Sequence, residues 1–178
     1  MLNKILISVL VFSISFLTLS YAQDKYTVSS VDTIQQEFTK QLDCLAKNIY
    51  YEAGGEPFEG KLAVAQVTMN RTNSPDYPSD ICGVVKQKIN GVCQFSWFCQ
   101  PMKNISDNYR WKESVLVAKQ VLTNELEHDK IKAMNVLYFH ADYVDASWTK
   151  GYQKVTKIGR HIFYTRSEHG DKRRNQKV

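Results

Sequence analysis

The segment Cys44–Arg71, CLAKNIYYEAGGEPFEGKLAVAQVTMNR, carries two helical patterns separated by a pair of glycines. Apolar side chains recur at helical spacing on both sides of Gly54-Gly55. Glycine commonly ends a helix, and Pro57 suits the first turn of the next one. The segment therefore predicts a sharp corner between a first helix at residues 34–53 and a second helix at 57–70.

The rest of the chain predicts a domain that is mostly helical, with a small sheet. It shows no internal repeat, and its mixture of helical and strand patterns indicates an α+β class. The further predicted elements are a loop at 72–79, a short helix at 81–87, a strand or extended loop at 94–98, a helix at 111–126, and β-leaning segments at 136–139 and 161–165.

The N-terminus has the layout of a secretory signal peptide. Lys4 precedes a mostly apolar run, and Ser20-Tyr21-Ala22 places small residues where a signal peptidase cuts. We expect a signal peptide at 1–22 and a polar linker at 23–33, followed by the folded domain at 34–166. An uncleaved anchor is the alternative, although the run is short of the roughly 20 apolar residues of a full span. The domain is then exported, to the periplasm, the cell wall or the extracellular space.

The chain is basic, with a formal net charge of +5. A basic surface suits an anionic polymer such as a bacterial wall, and export argues against nucleic acid as the partner. Residues 167–178 are predicted to be a solvated basic tail. We expect a monomer that has no stable membrane contact once the signal is cleaved.

Four cysteines in an exported chain favour disulfides over free thiols. They are Cys44, Cys82, Cys93 and Cys99, and three pairings are open. Cys93 with Cys99 would close a small loop and leave Cys44 with Cys82. The spacings lack the close pairs of structural zinc sites, so disulfides are the favoured interpretation.

Glu52 and Glu56 flank the predicted corner and are the candidates for chemistry. Cleaving a glycosidic bond requires a proton on the leaving oxygen, and a carboxylic acid holds that proton at neutral pH only when its pKa is raised. Aromatic surroundings and a helix C-terminus both raise the pKa of Glu52, whereas Glu56 at a helix N-terminus should stay ionised. The simpler alternative is that both residues are surface carboxylates at helix ends and take no part in catalysis.

Several ordered blocks extend over nearly the whole domain, and they are Cys44–Arg71, Tyr77–Val85, Cys93–Cys99, Tyr138–His140, Trp148 and Ile158–Tyr164. Together they resemble the catalytic domain of the SleB/CwlJ-like family of spore cortex-lytic and related cell-wall hydrolases.

The resemblance implies a lysozyme-like fold of the lytic transglycosylase type, with Glu52 as the catalytic acid. It also implies cleavage between N-acetylmuramic acid and N-acetylglucosamine that leaves an anhydro end. Such a reaction needs one carboxylate, because the 6-hydroxyl of the sugar replaces the water that a second carboxylate would activate. The chain departs from the family at Gly54, where arginine is common, and at Lys61, where glutamine is common.

Other side chains are candidates for contacts with glycan strands. Aromatic faces pack on sugar rings, although core packing is the default for any one aromatic residue. Gln66 and Asn70, at i and i+4 of the second helix, face either the cleft or buried backbone. The substrate-binding candidates are Glu56, Tyr51, Gln66, Asn70, Phe95, Tyr138, His140 and Trp148, and Trp97 is a further aromatic candidate.

Two rival functions stay open at this level. One is a zinc amidase with His140, His161 and Glu52 as ligands, but the four histidines include no close pair, so we expect no metal and no cofactor. The other is a wall-binding protein without activity. The products released from peptidoglycan distinguish all three.

Overall fold

A computed structural model describes residues 30–101 and 104–167 of the chain. The chain divides into one unit that ends at Thr39 and a second that begins at Lys40. Of the first unit, residues 30–39 are described and are helical. The predicted signal peptide lies outside the described residues, as do most of the predicted linker and all of the basic tail except Ser167. The domain boundaries therefore stay predictions.

Five α-helices lie among the described residues of the second unit. The central helix, Phe58–Thr72, has buried residues on nearly all its faces, and it contacts the three helices that follow it and the strand Tyr152–Ile158. Small residues such as Gly60, Ala63 and Ala65 allow this close packing. The helices are α1 at residues 40–53, α2 at Phe58–Thr72, α3 at Ile81–Lys86, α4 at Asn108–Leu122 and α5 at Asp129–Ala133.

Two small antiparallel sheets complete the unit. Strands β1 (Lys88–Ile89) and β2 (Val92–Cys93) form a hairpin, and the other three strands are arranged in the order β3–β5–β4. These three are β3 at Tyr138–Ala141, β4 at Tyr152–Ile158 and β5 at His161–Arg166. The predicted α+β class, mostly helical with a small sheet, is confirmed.

The turn between β4 and β5 requires a glycine. Gly159 has a φ of +54°, and a Cβ at this position would lie 1.9 Å from Oε2 of Glu56. A two-residue turn with glycine first suits the twist of a hairpin. Gly159 thus allows the hairpin to approach the α1–α2 corner closely.

Both pairs of cysteines are disulfide-bonded. Cys44 on α1 is bonded to Cys82 on α3, and Cys93 to Cys99 across six positions of sequence. Of the three pairings that the sequence left open, this is the one in which Cys93 and Cys99 close a small loop.

Some predicted elements differ from the structure at their ends. The segment 94–98 is not a strand, because Ser96–Cys99 form a 3₁₀ turn. The helix predicted at 111–126 begins earlier, since Asp107 caps it by accepting from the N–H of Arg110, and it ends earlier, ahead of Asn124 with a φ of 56°. The β-leaning segment at 136–139 forms a strand two residues later.

Lys61, one of the two departures from the family pattern, is buried on α2. Its Nζ donates to the carbonyl of Glu56 at 2.5 Å and lies 3.3 Å from Oε2 of Glu113 on α4. A buried ammonium needs such partners to offset its lost hydration. The chain therefore supplies a carboxylate on α4 to match this lysine.

Candidate active site

A cleft of about 520 Å³ lies where the end of α1 faces the 3₁₀ turn and the sheet. Its walls come from four separate parts of the sequence. They are formed by Tyr51 and Glu52, by Ser96, Trp97, Gln100 and Pro101, by Phe139, His140, Ala141, Tyr143 and Val144, and by His161.

Glu52 lies in the last turn of α1 and lines this cleft. Burial raises the pKa of its carboxyl from 4.5 to about 7, and the positive charge of Arg71 partly opposes this shift. The carboxyl is thus close to half-protonated near neutral pH. A group in that state can both donate and accept a proton, as a general acid–base catalyst must.

Arg71 at the end of α2 supplies the buried positive charge. Its Nε donates to the carbonyl of Leu137 at 2.9 Å, and its guanidinium lies 4.9 Å from the ring centre of Phe95 and 5.3 Å from that of Tyr77. Its Nη1 has no hydrogen-bond partner among the described residues. This residue was not among the candidates, because nothing local in the sequence shows that its charge acts on Glu52.

Tyr51 and Trp97 form an aromatic wall of the cleft. Their rings stack with centroids 4.6 Å apart and planes 24° apart. The indole Nε1 of Trp97 donates to Oδ1 of Asn48 at 3.1 Å, and the Cys93–Cys99 disulfide closes the short segment that carries the tryptophan. The hydrogen bond to Asn48 and the disulfide therefore both hold this aromatic wall in place beside Glu52.

Glu56 is not among the residues that line the cleft. Its Oε2 accepts a hydrogen bond from the backbone N–H of Arg160 at 2.8 Å. The second carboxylate of the motif thus joins the α1–α2 corner to the β4–β5 turn.

Gln66, Asn70 and Phe95 lie in the interior, and none of them lines the cleft. Nδ2 of Asn70 donates to the carbonyls of Ile131 and Val136, both at 3.0 Å. Oε1 of Gln66 accepts from the N–H of His128 at 3.3 Å. These amides satisfy buried backbone, which was the other interpretation of their helical spacing.

His140, Tyr138 and Trp148 belong to an aromatic cluster on the sheet. His140 lines the cleft, its Nε2 is 2.9 Å from the hydroxyl of Tyr164, and its ring is 5.7 Å from that of Trp148. Tyr138 and Trp148 contact each other at 6.1 Å between centroids, outside the cleft lining.

His161, which the sequence left open as a substrate contact, a core histidine or a metal ligand, also lines the cleft. Burial lowers the pKa of its imidazole, and its Nδ1 has no hydrogen-bond partner in the described part of the chain. A neutral imidazole beside the cleft can bind a sugar hydroxyl or amide.

Within residues 30–101 and 104–167, no group of three or more His, Cys, Asp or Glu side chains is arranged to hold a metal ion. Over the same residues, no helix has the length and apolar character needed to cross a membrane.

The sequence model of the cell wall hydrolase family matches residues 55–164, well over half of the chain. The chain belongs to the cell wall hydrolase family. The matched segment begins three residues after Glu52, so the assignment of that residue depends on the geometry of the cleft. The family predicted from the sequence blocks is confirmed.

Curated relatives of this cell wall hydrolase include two spore cortex-lytic enzymes. The enzyme of Bacillus subtilis is 33% identical over 121 residues, which are 67% of this chain and 35% of that protein. The enzyme of Oceanobacillus iheyensis is 26% identical over 141 residues, 79% of this chain and 47% of that protein. The chain thus matches between one third and one half of the length of these relatives.

Two solved structures share the fold. One is the catalytic domain of the germination-specific lytic transglycosylase SleB from Bacillus anthracis, with a TM-score of 0.55 and 28% identity over 70% of this chain and 93% of that one. The other is the catalytic domain of the Bacillus cereus SleB protein, with a TM-score of 0.54 and 27% identity over 71% of this chain and 91% of that one. The predicted fold of the lytic transglycosylase type is confirmed.

Proposed function

We propose that this domain cleaves the glycan strand of peptidoglycan between N-acetylmuramic acid and N-acetylglucosamine, as a lytic transglycosylase. Membership of the cell wall hydrolase family and the likeness to the B. anthracis lytic transglycosylase domain support the reaction class. The cleft supports an enzyme over a wall-binding protein, because it contains a carboxyl group whose pKa is raised to about 7.

One observation carries the choice of mechanism: among the described residues that line the cleft, Glu52 is the only carboxylate. Glycosidases that use water generally need two carboxylates across the cleaved bond, roughly 5 to 9 Å apart. The other candidate, Glu56, is bound to the backbone of Arg160. A single acid–base group favours a reaction in which the substrate supplies its own nucleophile.

Each of the two steps moves one proton through Glu52. In the first, the carboxylic acid protonates the glycosidic oxygen, and the bond from that oxygen to the anomeric carbon breaks with both electrons leaving on the oxygen. In the second, the 6-hydroxyl oxygen of the same sugar bonds to the anomeric carbon, while its proton passes to the Glu52 carboxylate. The product is an anhydro sugar, and the enzyme ends in its starting protonation state.

Arg71 acts between these steps. Glu52 is an anion after the first proton transfer, and the buried guanidinium stabilises that anion through its charge. The aromatic wall of Tyr51 and Trp97 provides an apolar face for a sugar ring beside the carboxyl.

The cellular setting follows from the substrate. We place the enzyme outside the cytoplasmic membrane as an exported monomer that acts on the wall, in agreement with the signal-peptide layout of residues 1–22.

The test compares wild type with Glu52→Gln on purified peptidoglycan, with Glu59→Gln as the matched control, since Glu59 is an exposed carboxylate on α2. We expect anhydro-muropeptides from wild type and the control, and none from Glu52→Gln at an unchanged circular dichroism spectrum. Free peptides would instead indicate an amidase. Release of no fragments by folded wild type would indicate a binding protein.

A further inference from the structure

Arg160 lies in the β4–β5 turn, and hydrogen bonds hold its backbone at both the N–H and the carbonyl. Its N–H donates to Oε2 of Glu56 at 2.8 Å, and its carbonyl accepts from the N–H of Asp142 at 2.7 Å. The side chain of Arg160 is nevertheless 68% exposed. The turn therefore presents a solvent-facing guanidinium from a backbone that is held in place.

This guanidinium lies at the edge of the cleft. It is 4.8 Å from the ring centre of Tyr143, which lines the cleft and is 71% exposed. Stacking on an aromatic ring orients an arginine and leaves its N–H groups available to a planar anion.

The guanidinium of Arg160 is only loosely paired at this edge. Oδ2 of Asp142 is 2.8 Å from Nζ of Lys157, whereas its Oδ1 is 3.8 Å from Nε of Arg160. One carboxylate thus faces two cations and binds Lys157 more closely. None of the described residues that line the cleft is a lysine or arginine. An anionic group of a ligand in this cleft can therefore reach an exposed cation at this edge.

We propose that Arg160 binds a carboxylate of the peptide stem attached to the muramic acid unit. This inference rests on the proposed function for its ligand. The sugar rings of a peptidoglycan strand are uncharged, and the stems carry most of its free carboxylates. A guanidinium can bind a carboxylate through two parallel hydrogen bonds, which a point charge cannot reproduce. Arg160 then makes the enzyme selective for strands that retain their peptides.

The test measures binding in the inactive Glu52→Gln background, so that its result does not depend on turnover. Co-sedimentation gives the Kd for three ligands: native peptidoglycan, the same material after carbodiimide coupling with methylamine, and strands stripped of peptides by an amidase. Arg160→Gln keeps the backbone N–H that Glu56 binds. Lys119→Gln on α4 is the control, because it removes the same charge from an exposed site elsewhere.

We expect native material to bind about threefold to fivefold more tightly than the amidated or stripped material, the range for one exposed charged contact. Arg160→Gln should abolish this preference, and Lys119→Gln should retain it. The proposal is overturned if Arg160→Gln keeps the preference or weakens all three ligands equally. It is also overturned if stripped strands bind as tightly as native ones, because the lactyl carboxylate would then be the ligand. Failure of wild type to cleave any of these materials would count against the proposed function alone.

Discussion

The backbone N–H of Arg160 donates to Oε2 of Glu56 at 2.8 Å, although the two residues are 104 positions apart in the chain. Glu52 lies just before the corner that carries Glu56, and His161 directly follows Arg160. Glu52 and His161 both line the cleft. This one hydrogen bond therefore ties together two opposite walls of the site.

Glu56→Gln should reduce stability and leave the chemistry nearly intact. A neutral amide accepts a weaker hydrogen bond than a carboxylate, so we expect a loss of about 1 kcal/mol and a Tm lower by roughly 4 °C. Turnover of peptidoglycan should stay within about twofold of wild type, a small effect on the catalytic scale. Calorimetry and product release measure the two effects. A stable variant that has lost its activity would show that Glu56 takes part in catalysis.

The pH dependence of activity should follow the protonation of Glu52. Its pKa of about 7 predicts that kcat/KM falls as the pH rises through about 7, because the free enzyme must carry the proton. Arg71 lowers this pKa, so Arg71→Met should move the fall to higher pH. A profile with no basic limb near neutrality in wild type would contradict the assignment.

The same carboxyl should make stability depend on pH. Its folded pKa of about 7 lies above the 4.5 of an exposed glutamate, so the folded state binds this proton more tightly than the unfolded state does. Its contribution is fully present below about pH 4.5 and is lost as the pH rises through about 7. From about pH 5 to about pH 8, the free energy of unfolding of Glu52→Gln should rise by about 1–3 kcal/mol relative to that of wild type. Urea unfolding at both values measures this, and a constant difference would refute it.

The two disulfides should differ in what their removal affects. Cys44–Cys82 spans 38 positions and Cys93–Cys99 spans 6, so loop entropy predicts losses of about 4 and about 2 kcal/mol for the paired Cys→Ser variants. Activity should show the opposite order, because only the small loop carries Trp97 of the aromatic wall. We expect roughly a tenfold lower kcat/KM for Cys93→Ser with Cys99→Ser. Equal activity of the two double variants below their Tm would contradict this.

Local signals in the sequence predicted much of the helical half. The glycine pair and Pro57 marked the corner after α1, and the apolar spacing marked α2 and α3. Asn90-Gly91 between β1 and β2 is a strong hairpin signal that the analysis overlooked, and both residues have a positive φ. Strand β4 was missed because its exposed polar residues hide the alternation of a half-buried strand.

The candidate site was predictable only in part, since it depends on contacts between distant segments. The sequence could place Glu52 at a helix end, but only the fold shows which carboxylate faces the cleft. Asn70 illustrates the limit, because helical spacing fits either a cleft or the carbonyls of Ile131 and Val136. Arg71 could not be identified from the sequence for the same reason, because its charge acts on Glu52 only after α1 and α2 pack.

Digestion of peptidoglycan in water enriched in heavy oxygen tests the central claim most directly. If Glu52 works alone and the 6-hydroxyl completes the reaction, mass spectrometry should find anhydro-muropeptides, lighter by one water, that contain no heavy oxygen. Glu52→Gln should release none of these fragments. Reducing-end products that carry one heavy oxygen would show that water is the nucleophile, and they would contradict the single-carboxylate account.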